Sequence, residues 1–217
     1  YVSAAYFYKD LKTYIYNERG IFDISDTVVT PADYPTDPLL VPLNSQGGYT
    51  KPVNGNGGTL KGWEFAVSVP FEILWAPLEG FGFLGSYSET TSDIQPFGPT
   101  SSQPLPGLSK YVSNLTLYYD RYGFSARIAS RTRSDFFGEV QGFGGDRTRR
   151  NFEGERVTDM QLGYTFQSGP LQNFGVLLQV NNLENEPFRS SFDGDSARPR
   201  EYFEYGRTYL LGVNYRF

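Results

Sequence analysis

The chain has no cysteine, no histidine and a single methionine. Without thiols there is neither a disulfide framework nor a thiolate metal site, and without imidazole both the usual base near neutral pH and the commonest metal ligand are missing. Hydrolytic and metal chemistry is therefore poorly supported, and no enzyme activity, metal site or cofactor is expected. No run of about 18 apolar residues occurs, which excludes a helical membrane span. The mean hydropathy of −0.43 does not exclude a transmembrane β-barrel, whose strands alternate and average out as polar. A basic excess is lacking too, and the formal net charge of −5 argues against nucleic acid as a partner. Aromatics, by contrast, are abundant, with 17 Tyr and 18 Phe among 217 residues, which suits β structure and membrane-interface girdles better than a helical core.

The clearest pattern lies in the final stretch, residues 206–217. Read with a period of two, it puts Tyr209, Leu211, Val213, Tyr215 and Phe217 on one face and Thr208, Gly212, Asn214 and Arg216 on the other, with Leu210 out of step. An amphipathic strand ending on an aromatic residue suits a place where lipid meets water. Residues 60–71 repeat the pattern, with Trp63, Phe65, Val67, Val69 and Phe71 opposed to Gly62, Glu64, Ala66 and Ser68. Further strands are read at 81–90, 109–120, 124–136, 155–166 and 173–181. Residues 1–17 form one more, whose facing stays open because apolar residues occupy both parities.

These eight strands are joined by connections that alternate long and short, starting long. The long ones are residues 18–58, with five prolines and a glycine run at 54–58, then 91–108, 138–154 and 182–204. The short ones are the link around 75–80, the turn Arg121-Tyr122-Gly123, and 167–172. Outer-membrane barrels have short periplasmic turns and long outer loops, so the carboxy terminus is expected in the periplasm. The chain begins inside a strand-like pattern with neither initiator Met nor signal peptide, so residues are expected upstream. Nothing in the composition divides the chain, and residues 1–217 are read as a single β domain.

Six short stretches in order carry a family resemblance: Phe7-Tyr8-Lys9-Asp10-Leu11, the glycine run with Leu60-Lys61-Gly62-Trp63-Glu64, residues 105–110, Arg131-Thr132-Arg133-Ser134, Asn181-Asn182-Leu183 through Pro187-Phe188, and Tyr205-Gly206-Arg207 with the final strand. The chain resembles the carboxy-terminal part of a TonB-dependent outer-membrane receptor of the large xanthomonad and caulobacter class. The resemblance implies an all-β, antiparallel, up-and-down transmembrane barrel of about 22 strands closed around an amino-terminal plug, of which these would be the last eight. It further implies residence in the outer membrane of a Gram-negative bacterium and uptake of a scarce solute, an oligosaccharide, a ferric siderophore or similar. The implied partners are outer-membrane lipid, the small-molecule solute, the TonB complex through the absent amino-terminal region, and the barrel assembly machinery, which would read the strand ending at Phe217. Other readings are an autonomous eight-stranded barrel serving as anchor or adhesin, and a soluble lectin-like module with its apolar face inward.

Candidate site residues follow from the faces. Arg127, Arg131 and Arg133 share a parity opposite Phe124, Ala126 and Ile128, and with Glu64, Asp159 and Arg216 they are expected in the lumen. With the loop residues Arg147, Arg149 and Arg150 they would attract an anionic solute; alternatively the lumenal arginines pair with Glu64, Asp159, Asp135 or plug carboxylates. The loop aromatics Tyr34, Tyr49, Phe97, Phe143 and Phe192 would either stack on a solute or belong to a girdle. Asp193-Gly194-Asp195 lacks the further oxygens of a calcium loop and is read as a surface turn. Glu153 and Glu155 flank a loop end with no base or nucleophile partner.

Overall fold

The computed structural model describes residues 1–23, 46–96, 100, 102–141, 147–192 and 194–217. Among them run twelve strands: β1 (Val2–Asp23), β2 (Gln46–Pro70), β3 (Phe81–Ile94), β4 (Tyr111–Arg121), β5 (Phe124–Arg133), β6 (Phe136–Gln141), β7 (Arg147–Phe152), β8 (Glu155–Thr165), β9 (Phe174–Asn181), β10 (Phe188–Phe192), β11 (Asp195–Phe203) and β12 (Thr208–Tyr215). Eight form a sheet in the order β1-β2-β3-β4-β5-β8-β9-β12, and four form a second in the order β11-β10-β7-β6. The eight-stranded sheet is the expected up-and-down meander, and its strands are the eight read from the sequence. It is open: among the described residues no ladder joins β1 to β12.

The register locks the apolar residues of successive strands into one face. Phe83 faces Leu117, Leu117 faces Ile128, Ile128 faces Met160, Met160 faces Val180 and Val180 faces Tyr209. A neighbouring row runs Phe81, Tyr119, Ala126, Leu162, Leu178, Leu211. Because directly opposed residues in an antiparallel ladder share a face, this continuity is a sheet-wide property and not a coincidence of separate strands. Among the described residues no second layer covers the apolar face. Among the described residues only Ile94 and Val180 are buried hydrophobics, while Leu211 is 76% exposed. In water such a face would be an aggregation site; in hydrocarbon it is the stable arrangement.

Aromatic rings gather where the strands approach the short connections. Phe81 and Tyr119 lie 4.5 Å apart, Tyr119 and Phe124 5.9 Å, Tyr164 and Phe166 5.0 Å, and Tyr215 and Phe217 5.2 Å. Each such pair contributes about 0.5–1.5 kcal/mol beyond area burial, and a row of them suits the boundary between hydrocarbon and water. The same logic settles β1. Tyr6 packs 4.7 Å from Trp63 on the apolar face, whereas a Cβ at Gly62 would meet the Phe7 ring. Tyr1 and Ser68 exchange backbone hydrogen bonds of 2.7 and 2.8 Å, which fixes this register.

Three of the long loops read from sequence need correction. Residues 138–154 hold most of β6 and all of β7, and 182–204 hold β10 and β11. These two hairpins make the smaller sheet, and β6 with β7 keeps the offset of β5 with β8: Arg133 faces Glu155 and, three residues on, Phe136 faces Phe152. Stacking of Phe136 on Phe152 at 4.9 Å, then contacts from Phe152 to Phe188 and Phe188 to Phe203, link all four strands. The glycine run at 54–58 lies inside β2. A Cβ at Gly57 would collide with the Leu11 carbonyl and one at Gly55 with the Pro96 carbonyl, so here glycine serves close backbone approach inside a sheet.

The chain divides into two compact units: Tyr1–Lys9, Thr59–Asp93 and Pro104–Phe217 form one, and Asp10–Gly58 with Ile94–Gln103 the other. Within the second, Ile94 and Gln103 exchange backbone bonds of 2.9 and 3.0 Å and Gln95 donates to the Gly57 carbonyl at 2.9 Å.

Candidate functional site

The face opposite the apolar one carries the polar residues expected of a lumen. On β5, Arg127 stands opposite Tyr118 and Gln161, Arg131 opposite Asn114 and Val157, and Arg133 opposite Val112 and Glu155. Glu64 has the parity of Gly62 on β2 and is exposed. Asp159 stands opposite Ala129, and its carboxylate accepts the Asn182 backbone N–H at 2.9 Å. Arg216 follows β12 with the parity of Asn214, and its backbone N–H donates to the Asn173 carbonyl at 3.2 Å. The face is not uniformly polar, because Leu84, Leu177, Leu210 and Val112 also lie on it.

The pairing of these charges differs from the sequence expectation. Arg133 pairs with Glu155 at 3.2 Å, and not with Glu64, Asp159 or Asp135. Among the described residues no carboxylate reaches ion-pair distance of Arg127 or Arg131. Arg127 lines an open cleft of about 400 Å³ with Leu84, Tyr118, Asp120, Ser125 and Gln161. Asp120 lines the same cleft as Arg127 without forming an ion pair with it.

The loop candidates divide. Tyr34, Phe97 and Phe143 lie outside the described residues, as does Asp193. Tyr49 is not a loop residue: it belongs to β2, where its ring meets Phe22 edge-on at 6.0 Å and carries Lys51 above it at 5.3 Å. Phe192 ends β10 under the guanidinium groups of Arg198 and Arg200, at 5.8 and 5.0 Å. Arg150 pairs with Glu201 at 2.8 Å inside the smaller sheet, which removes it from the anion-attracting set. Glu153 pairs with Arg189 at 3.8 Å and Asp195 accepts the Ala197 N–H at 2.9 Å, both as structural partners. Tyr209, Leu211, Val213 and Tyr215 face Val180, Leu178, Val176 and Phe174 on the apolar face.

A joint that the sequence did not reveal fastens the β9–β10 connection. Glu184 accepts from the Thr158 hydroxyl at 2.5 Å and the Thr158 N–H at 3.1 Å, and the same hydroxyl lies 3.2 Å from Ser130 Oγ. Asn182 exchanges bonds with Glu186 and donates to the Gly206 carbonyl, while Arg207 donates to the Leu183 carbonyl at 2.7 Å. The Thr158 hydroxyl is the main cause holding the Glu184 carboxyl below its ordinary value.

Comparison with known proteins supplies the remaining step. The profile of the family described as TonB dependent receptor-like, beta-barrel matches residues 1–183. No curated protein and no solved structure matches the chain. The matched span takes in β1 to β9 and so includes seven of the eight strands of the larger sheet, all but β12. The chain belongs to the TonB-dependent receptor β-barrel family, whose members are transporters of the Gram-negative outer membrane, and that membrane is where it resides.

Proposed function

We propose that the chain is part of an active transporter that takes up a scarce solute, an oligosaccharide, a ferric siderophore or a chemically similar molecule, with energy delivered through TonB. The observation that carries this reading is the polar face. It holds Arg127 and Arg131, without carboxylate partners among the described residues, on a strand whose other face is apolar, an arrangement useful to a water-filled or plug-filled interior. In this reading Glu64, Arg127, Arg131, Arg133, Asp159 and Arg216 face the lumen and Phe192 stands among the outer hairpins. Tyr209, Leu211, Val213, Tyr215 and Phe217 meet lipid and present the final strand to the assembly machinery.

The test is uptake by intact cells. A strain deleted for the gene of the full-length protein is compared with its parent and with a strain lacking TonB, using labelled oligosaccharides and ferric chelates at limiting concentration. Loss of accumulation of the same solute in both mutants is expected; unchanged accumulation of every solute in the deletion strain would overturn the proposal.

A further inference from the structure

We propose that the cleft between the end of β3, residues 104–110 and the β6–β7 hairpin is a binding subsite for a neutral sugar unit, with Phe137 as its stacking platform and Thr90, Asp135 and Asn151 as its hydrogen-bonding groups. The inference rests on the solute-uptake reading above and deepens it by naming a substrate class.

The cleft measures about 330 Å³, within the range of roughly 300–1,000 Å³ usual for small-molecule sites. Its back wall is held in place. The Ser92 hydroxyl accepts the Leu105 N–H at 2.8 Å, Thr90 donates its N–H to the Lys110 carbonyl at 2.7 Å, and Gly107 donates to the Phe137 carbonyl. Pro104 and Leu108 add an apolar side. A site assembled from fixed strands and a strapped loop loses little freedom when a ligand enters.

The two adjacent phenylalanines have different tasks. Phe136 is engaged on the Phe152 ring at 4.9 Å and the Arg133 guanidinium at 5.0 Å, so it belongs to the structure. Phe137 is half-buried, lines the cleft, and has no ring or cation partner among the described residues. It shares a face of the small sheet with Asn151, which stands directly opposite it. Around this ring the Thr90 hydroxyl, the Asp135 carboxylate and the Asn151 amide are without side-chain hydrogen-bond partners among the described residues. One apolar ring beside an acceptor-only carboxylate, an amide and a hydroxyl matches a pyranose, which presents a C–H face and a rim of adjacent hydroxyls that both donate and accept.

The charges decide against an anionic ligand. Lys110 is matched by Glu89 at 3.7 Å, which leaves Asp135 as the unmatched charge in the lining. A phosphate or a negatively charged ferric chelate would meet that carboxylate at close range, whereas a neutral hydroxyl donates to it.

The experiment measures binding of defined neutral oligosaccharides (maltohexaose, xylohexaose and chitohexaose) to the full-length protein in outer-membrane vesicles, beside the variants Phe137→Ala, Phe137→Tyr and Asn151→Ala and the control Leu171→Ala, an exposed residue of the short β8–β9 connection. Heat-modifiable electrophoretic mobility verifies that each variant is folded. At least one glycan is expected to bind; Phe137→Ala and Asn151→Ala each weaken it about tenfold, while Phe137→Tyr and Leu171→Ala stay within twofold of the parent. A bound glycan whose affinity ignores Phe137→Ala and Asn151→Ala overturns the site. Absence of glycan binding together with TonB-dependent uptake of a ferric chelate overturns the sugar class while leaving the transporter reading intact. Absence of any TonB-dependent uptake removes that reading itself.

Discussion

Leu211, Leu117 and Val67 test the residue scale most directly, because each stands on a face with no covering layer and with apolar cross-strand neighbours. Leu211 faces Leu178, Leu117 faces Ile128, and Val67 lies within contact of the Cβ position of Gly85. Replacing any of them by Arg puts a guanidinium into hydrocarbon at about 2–4 kcal/mol near the midplane. Asn214→Arg, on the other face, costs far less. Equilibrium folding of the full-length protein into lipid vesicles measures the difference, and equal costs on the two faces would refute the assignment. Accessibility reports the same geometry without energies. In membranes, Arg127→Cys and Arg131→Cys react with small water-soluble thiol reagents and Ile128→Cys does not; the reverse pattern means a strand flipped by one residue.

Glu184 adds a pH dependence at this scale. Its carboxyl is held below its ordinary value of 4.5, first by the Thr158 hydroxyl and further by backbone N–H groups and Arg156, against an opposing contribution from burial. A depressed folded value means that the unfolded chain binds its proton first as pH falls. The stabilisation is therefore complete above 4.5 and lost as pH drops through the lower folded value. Protection of the Thr158 and Leu183 amides, relative to their intrinsic exchange rates at each pH, is expected to fall on acidification below pH 4.5 in the parent and to lose that dependence in Glu184→Gln. An identical pH profile in the variant removes the joint.

At the scale of elements, the β4–β5 connection is a two-residue hairpin turn. Tyr122 and Gly123 both have positive φ, 56° and 78°, as a two-residue hairpin turn matching strand twist requires. A Cβ at Gly123 would also meet the Thr165 carbonyl. Gly123→Ala is expected to cost about 1–2 kcal/mol, the penalty of a left-handed residue with a side chain, and urea-induced unfolding from vesicles reads it; an unchanged midpoint would show that the turn relaxes freely.

Element type was legible where physics imposed a two-sided environment. In β3, β4, β5, β8, β9 and β12 one face is apolar and the other polar, so the period of two survives in the sequence and these six strands emerge in their observed order. Elsewhere the signal is missing because the environment that creates it is missing. β7 reads Arg-Thr-Arg-Arg-Asn-Phe and β11 Asp-Ser-Ala-Arg-Pro-Arg-Glu-Tyr-Phe, without a consistently apolar side. The glycines of β2 imitate a loop because nothing in their own identity reveals the carbonyls they must approach. The polar-face arginines were readable from parity alone, but the Arg133–Glu155 pair required the register, and the cleft around Phe137 required a hairpin that looked like a loop.

For the whole molecule, the decisive feature is the pair of unpaired edges. The ladder order places β1 at one end of the eight-stranded sheet and β12 at the other. β12 reads Thr-Tyr-Leu-Leu-Gly-Val-Asn-Tyr, with no proline and no charge, the devices by which natural edge strands avoid pairing with the wrong partner. An edge of this quality in a barrel family is built to be paired, and the eight strands by themselves leave it unsatisfied. Expressed alone, the 217-residue chain is therefore expected to remain an open sheet that does not acquire the compact, heat-modifiable mobility of a closed barrel. Ala4→Cys with Val213→Cys should then form no intramolecular disulfide under mild oxidation. Efficient formation of that bond together with heat-modifiable mobility would show β1 and β12 zipped into one ladder, and the chain would be a small autonomous barrel serving as an anchor or adhesin, with the transporter reading withdrawn.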